Sequence, residues 1–285
     1  MEYRTYQKPD MHMHSVYSDG TDTPRILIDN VRKAGIDLFA LTDHDTAEGC
    51  SAVQELLQPG DPRFIGGIEF SCKDQYGKYH ILGYCYDPEK SAIKETVKFS
   101  HDIRIRKLIN RFAYLKQEFG FTFSDSEREA LMALPNPGKP HFAALMLEKG
   151  YVKTKSDGFA AFENYHGTEP SLSPEDAIDA IYRADGLPVL AHGILADGSR
   201  SLTEQEIESR VARFKQAGLM GLECYYSTFT PEQKAIMLSL AKKYNMFVTA
   251  GSDYHGTNKP VKLGQTNDPD LSDLQRFYAV IEQLL

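Results

Sequence analysis

Short apolar segments alternate with helix-length amphipathic stretches at both ends of this chain, and that rhythm restricts it to an α/β fold built on a largely parallel sheet. Strands are expected at Asp10–His14, Leu38–Thr42, Phe64–Phe70, Tyr79–Tyr84, Pro188–His192, Gly221–Tyr225 and Phe247–Asp253. Thr23-Pro24 is a strong helix start, a side-chain cap followed by proline at the first helical position, and Gly35 is its stop. Further helices are expected over 173–185, 203–217 and 231–244. The rhythm by itself fits either a closed barrel or an open, doubly wound sheet.

Residues 98–170 interrupt it. Ile105, Leu108, Ile109, Phe112, Leu115 and Phe119 recur at helical spacing, a loop with Pro135, Pro137 and Pro140 follows, and a second helix is expected from His141 to Lys149. This segment reads as a helical insertion, so the expected organisation is a barrel domain of residues 10–97 and 171–285 with an insertion, or lid, of residues 98–170. His101, Arg104, Lys107 and Arg111 fall along one face of its first helix.

The chemistry is concentrated at strand ends. Side chains alternate along a strand, so His12 and His14 share one face. Asp19 lies just after that strand, His44 after the second, Glu69 and His80 on the next two, His192 at the end of the fifth, and Asp253 and His255 after the last. Barrels of this class assemble their sites at such places. The chain has nine histidines and six stand at these positions, while His101, His141 and His166 all lie in the insertion. A random scatter would leave histidines on barrel helices and surface loops, and there are none. The donor set is nitrogen and oxygen without thiolate, which suits Mn²⁺, Zn²⁺ or Fe²⁺, and nine ligands exceed the needs of one ion, so two or three are expected. Such cations would draw an anionic substrate and bring a water towards its hydroxide form at neutral pH.

His12-Met13-His14-Ser15, Ser18-Asp19-Gly20, Thr42-Asp43-His44-Asp45-Thr46, Gly67-Ile68-Glu69, His80 with Gly83-Tyr84, Ala191-His192 and Gly251-Ser252-Asp253-Tyr254-His255-Gly256 together resemble the PHP (polymerase and histidinol phosphatase) family. The resemblance covers nearly the whole chain. It implies an α/β fold, a distorted (β/α)7 barrel with a helical insertion, carrying a trinuclear site. One ion would sit on His12, His14, Glu69 and Asp253, a second on Glu69, His80 and His192, and a third on Asp19, His44 and His255. Glu69, His192, Asp253 and His255 are then expected to carry catalysis most directly, and Asp43 and Asp45 to orient His44 or its neighbours.

Gly138-Lys139-Pro140-His141-Phe142-Ala143, with Lys149-Gly150-Tyr151-Val152 and Phe159 and Phe162, is similar to the insertion of small bacterial PHP phosphoesterases. That likeness implies a phosphomonoesterase acting on a nucleoside 5′-monophosphate or 3′,5′-bisphosphate. Trimming of short 5′-phosphorylated RNA is the alternative, and histidinol phosphate a more distant one. It makes Arg104, Lys139 and His141 the expected phosphate contacts. The family's usual arginine is Lys139 here, which loses two-pronged phosphate recognition, and its usual proline after the barrel histidine is Gly193. Glu223 lies on the sixth strand, outside the ligand pattern, and is expected to support the ligands or the fold.

The net charge of −8 argues against a broad surface for long nucleic acid, so a small phosphorylated substrate is expected, held through locally bound cations. No apolar run approaches a membrane span, and the polar first ten residues lack the apolar core of a secretory signal. Cys50, Cys72, Cys85 and Cys224 form no paired motif, which fits a reducing cytoplasm. Nothing in the pattern specifies an oligomeric state.

Overall fold

The computed structural model describes residues 6–134, 136–196 and 200–284; of the loop prolines, Pro135 lies outside them. The strands are β1 (Pro9–Asp10), β2 (Leu38–Leu41), β3 (Arg63–Asp74), β4 (Gly77–Tyr84), β5 (Leu187–Leu190), β6 (Leu195–Ala196), β7 (Arg200–Ser201), β8 (Gly221–Tyr226) and β9 (Phe247–Gly251). The helices are α1 (Pro24–Ala34), α2 (Glu48–Leu56), α3 (Ser91–Phe119), α4 (Asp125–Met132), α5 (Lys139–Glu148), α6 (Lys155–Ala160), α7 (Pro174–Arg183), α8 (Glu204–Gln216), α9 (Pro231–Lys243) and α10 (Leu271–Leu284).

Seven strands form one sheet in the order β1-β2-β3-β4-β5-β8-β9. Its ends meet: the Met11 amide donates to the Ala250 carbonyl at 2.9 Å, and Met13 pairs in parallel with Tyr254. The result is a nearly closed, distorted seven-stranded barrel with helices packed outside it. Local signals behave as the chemistry dictates. Thr23 accepts the Ile26 amide at the start of α1, and Gly35 ends the helix with a left-handed φ of 68°. Thr203 and Glu206, and Thr230 and Gln233, form reciprocal capping pairs at α8 and α9.

Two features depart from the purely parallel reading. β3 runs on to Asp74 and turns into β4, and the two pair antiparallel from Gly67–Tyr84 to Asp74–Gly77. The turn is held by Asp74 Oδ1, which accepts the amides of Tyr76 and Gly77 at 2.7 and 3.1 Å. β4 is also antiparallel to β5. In addition, β1 covers only Pro9–Asp10 where a strand through His14 is expected. Residues 11–14 stay extended, but their amides and carbonyls bond alternately to the segments around Ala250–Tyr254 and Thr42, which breaks the regular ladder.

The chain divides into two compact units, Met1–Val97 with Leu172–Leu285, and Lys98–Ser171. The first holds a core of Ile68, Phe70, Leu82, Tyr84, Val189, Leu222 and Phe277, and a smaller one where Leu27, Ile28 and Val31 of α1 meet Phe39, Leu41 and Val53. The second has its own core of Leu108, Phe112, Leu115, Phe142, Met146 and Phe162. Arg111, on the basic face expected of the first insertion helix, lies 5.8 Å from the Phe162 ring and 5.9 Å from that of Tyr165. Burial holds its guanidinium below the usual arginine range, so it packs against this core rather than forming a solvated face. Among the described residues no helix is long and apolar enough to cross a membrane.

Candidate metal centre

Backbone pairing brings distant segments to one place. The Asp253 amide donates to the His12 carbonyl at 2.8 Å, Asp45 to Glu69 at 3.0 Å, and His44 pairs in parallel with Glu69. All nine expected ligands lie in the barrel unit. Their ligating atoms fall into three overlapping groups, each with its atoms within 4.8 Å of one another: His12, His14, Glu69 and Asp253; His44, Glu69 and His80; and His14, Asp19, His44 and His255. His192 adjoins the second group, its Nε2 3.3 Å from both His80 Nδ1 and Glu69 Oε1. Glu69 is fully buried at the centre, with Oε2 3.2, 3.1 and 3.2 Å from nitrogens of His12, His14 and His44, and Oε1 2.9 Å from His80 Nδ1. His80 and Glu69 stand inside the β3–β4 hairpin rather than at the carboxyl end of parallel strands. The antiparallel return of β4 carries His80 beside Glu69's neighbour Ser71.

The imidazoles are oriented by their second nitrogens. His12 Nδ1 lies 2.9 Å from Glu223 Oε1, His14 Nδ1 3.3 Å from Ser18 Oγ, and His255 Nδ1 2.9 Å from the Asp253 carbonyl. Ser18 Oγ donates to Asp43 at 2.6 Å, so it accepts from His14. Each acceptor draws the ring proton to Nδ1 and leaves the Nε2 lone pair for a cation. Asp43 therefore braces the His14–Ser18 segment, also accepting the Ser15 amide and hydroxyl at 2.8 and 2.7 Å, and Asp45 Oδ1 accepts the Ser71 amide at 2.9 Å. Both aspartates thus hold serines of neighbouring segments, Ser15 and Ser18 on either side of Asp43's contact with the His14 segment and Ser71 two residues beyond Glu69.

Glu223 does more than support the fold. It is fully buried, and its second oxygen accepts the His192 amide at 2.8 Å. His192 has φ of 31° and Asp253 φ of 58°, left-handed values that L-residues adopt only where surrounding bonds enforce them. Gly251 has no alternative, because a Cβ there would collide with His12 Cβ and Glu223 Oε1. Two further side chains complete the site without any motif to announce them: Tyr226 Oη and Lys259 Nζ donate to Asp253 Oδ2 at 2.8 and 2.7 Å, leaving Oδ1 towards the histidines.

The arrangement suits divalent cations. His12 Nε2, His14 Nε2 and Glu69 Oε2 are buried, make no hydrogen bond and converge on one another. Buried polar atoms left in this state are costly unless a ligand satisfies them. Without cations, burial resists charge on Glu69, but His12, His44 and His80 outweigh it and hold the carboxyl well below its usual range. Burial likewise opposes charging His14, while the carboxylates of Asp253 and Glu69 close to its Nε2 push it up to about 9. Desolvation brings His44 down to about 3. A pocket of about 540 Å³ opens on Glu69, His80, His192 and Asp253, with Lys78, Arg210 and Lys259 in its walls.

Arg104, Lys139 and His141 all lie in the second unit. Arg104 is on α3, Lys139 opens α5 with its amine 5.9 Å from the Phe162 ring, and His141 Nδ1 accepts the Gly138 amide at 3.1 Å.

The PHP domain model matches residues 10–163. A 3′,5′-nucleoside bisphosphate phosphatase from Chromobacterium violaceum is 28% identical over 271 residues, covering 91% of each chain. A 5′-3′ exoribonuclease from Haemophilus influenzae is 25% identical over 272 residues, covering 92% of this chain and 95% of its own. The solved structure of a protein assigned as a metal-dependent phosphoesterase from Bifidobacterium adolescentis superposes with a TM-score of 0.80 at 31% identity, over 98% of this chain and 97% of that one. With its barrel, its converging histidines and carboxylates and these likenesses taken together, the chain belongs to the PHP domain family and is a metal-dependent phosphoesterase.

Proposed function

We propose that the protein hydrolyses a phosphomonoester of a small nucleotide, a 5′-monophosphate or a 3′,5′-bisphosphate. The convergence of unsatisfied His12, His14 and Glu69 atoms beneath a pocket with cationic walls carries this reading, because it provides for both metal and phosphate. His12, His14, Glu69 and Asp253 would hold one cation, Glu69, His80 and His192 a second, and Asp19, His44 and His255 a third. The donor set suits Mn²⁺, Zn²⁺ or Fe²⁺. Such cations would supply positive charge to the phosphoryl oxygens and make water acidic enough to attack at neutral pH.

The chain's own residues prepare the site. Glu223, Ser18 and the Asp253 carbonyl fix ring orientation, and Tyr226 and Lys259 pin the outer oxygen of Asp253. Lys259 and Arg210 bring positive charge to the pocket wall, where a phosphate dianion enters. Arg104, Lys139 and His141 are proposed as further phosphate contacts from the insertion, acting as a lid. The cytoplasm, where the four thiols stay reduced, is the proposed compartment.

Phosphate release from nucleoside 5′-monophosphates and 3′,5′-bisphosphates, in protein reconstituted with Mn²⁺, tests the reading. Release from neither would overturn it. The second reading, stepwise trimming of 5′-phosphorylated RNA, is favoured by the near full-length match to the Haemophilus exoribonuclease. Shortening of an oligoribonucleotide one residue at a time would establish it.

A further inference from the structure

The metal-side pocket adjoins a second cavity of about 880 Å³, and Lys78, Tyr79 and Arg210 line both. Arg210 lies over the Tyr79 ring at 4.6 Å and donates to the Gly193 carbonyl at 2.7 Å, so the seam is anchored beside His192. Among the described residues, four cationic side chains line the second cavity, Lys78, Arg200, Arg210 and Arg213, against one carboxylate, Glu206. In a chain of net charge −8 this is a local reversal of sign. Part of that charge is already committed. Arg213 pairs with Asp74 at 2.6 Å and Glu175 at 3.4 Å, and Arg200 with Glu206 at 3.1 Å. These pairs stiffen the outer wall.

Tyr76 stands at the β3–β4 turn, 70% exposed, with the Arg213 guanidinium 5.1 Å from its ring centre. Its ring is thus open to a partner from solvent. Beside cations and next to a phosphoesterase centre, it has the makings of a base-stacking platform.

We propose that this second cavity is a subsite for the continuing strand of a short single-stranded RNA, with Tyr76 stacking a base and the cations of the seam and outer wall meeting the next backbone phosphate. The proposal rests on the nucleotide reading above and extends it. A pocket of 540 Å³ and a cavity of 880 Å³ each lie within the range of roughly 300–1,000 Å³ typical of small-molecule sites, so the two together exceed what one nucleotide requires. A free 3′,5′-bisphosphate carries its second phosphate on the same sugar as the first. It would reach the seam but leave Tyr76 and Arg200 idle, so a chain of nucleotides fits the cavity better.

Tyr76→Ala and Arg200→Gln test this, since both residues are exposed and neither lines the metal-side pocket. Three substrates are compared with Mn²⁺ present: a nucleoside 5′-monophosphate, a 3′,5′-bisphosphate and a 5′-phosphorylated hexaribonucleotide. Binding of a 3′-fluorescein-labelled hexamer in EDTA is measured by anisotropy. Each substitution is expected to raise the hexamer KM and Kd about tenfold, the loss of one stacked base or one phosphate contact, with values for the monophosphate unchanged. Unchanged hexamer KM and Kd in both variants, no hexamer binding by the parent, or a parallel loss on all three substrates would each overturn the subsite. Equal losses on bisphosphate and hexamer would reassign it to a free second phosphate, and so refute the strand. If no nucleotide ester is cleaved but the variants still weaken hexamer binding, the nucleotide-ester reading fails while the subsite stands.

Discussion

Replacing Glu223 by glutamine removes one charge and exchanges one acceptor for a donor at a site where both oxygens are used. Glu223 Oε1 faces His12 Nδ1 at 2.9 Å and Oε2 accepts the His192 amide at 2.8 Å, with no solvent access to either. A glutamine carbonyl can serve only one of them. If it keeps the His192 amide, its NH₂ faces His12, and His12 must accept at Nδ1 and carry its proton on Nε2. That proton then points at Glu69 Oε2, 3.2 Å away, where a cation is to bind. If the carbonyl keeps His12 instead, the His192 amide is left buried against an NH₂ group, a loss of about 1–3 kcal/mol. Removing such an outer partner of a metal-binding histidine costs about 10–100-fold in metal affinity. Glu223→Gln is therefore expected to bind Mn²⁺ or Zn²⁺ 10–100-fold more weakly by calorimetry, and to unfold at lower denaturant by about 1–3 kcal/mol. Glu223→Ala, which strands both donors, is expected to lose about twice that stability. Wild-type cation affinity together with an unchanged unfolding midpoint in the glutamine variant would refute the orienting role.

Further outcomes follow from the same geometry. Glu69→Gln removes the buried carboxylate common to two ligand groups, so turnover is expected to fall below detection and cation content by at least one ion per chain; near-native turnover would dissolve the site assignment. Metal uptake is expected to release protons. Without metal the surrounding carboxylates outweigh burial and raise His12 and His14, the latter to about 9, so at pH 7 a cation must displace protons and affinity rises with pH, whereas His44, brought down to about 3 by burial, contributes no such slope; calorimetry in buffers of different ionisation enthalpy counts the protons. Prolonged chelation is expected to abolish activity and lower the melting temperature of the barrel unit, with both restored by divalent cation, since binding to the folded state alone stabilises it. Phe142→Ala opens the second unit's core where Phe142 meets Phe112 and Phe162, at an expected cost of about 3–5 kcal/mol in that unit's unfolding, read by hydrogen exchange.

Most of the candidate metal site was legible because each of its residues sits in a short local pattern. His12 and His14 alternate on an extended segment, Ser18-Asp19-Gly20 turns directly after it, and Gly251-Ser252-Asp253 needs a glycine where His12 and Glu223 crowd in. The ends of α1 were legible for the same reason, since a cap such as Thr23 and a stop such as Gly35 act over three or four residues.

What only the tertiary structure decided depends on pairing between distant segments. The antiparallel β3–β4 hairpin looked like two strands of a parallel series, because alternating apolar residues do not encode strand direction; only the Asp74 turn reverses the chain. Asp43 adjoins His44 in sequence, yet its oxygens hold Ser15 and Ser18 across 25 to 28 residues. Glu223 lies 211 residues from His12, and Tyr226 at the end of β8 and Lys259 in the loop after β9 both reach Asp253, with no motif to single them out. Residue type settled which atoms can hold metal. Burial and long-range hydrogen bonding settled which lone pair each ring presents, and that no local pattern can specify.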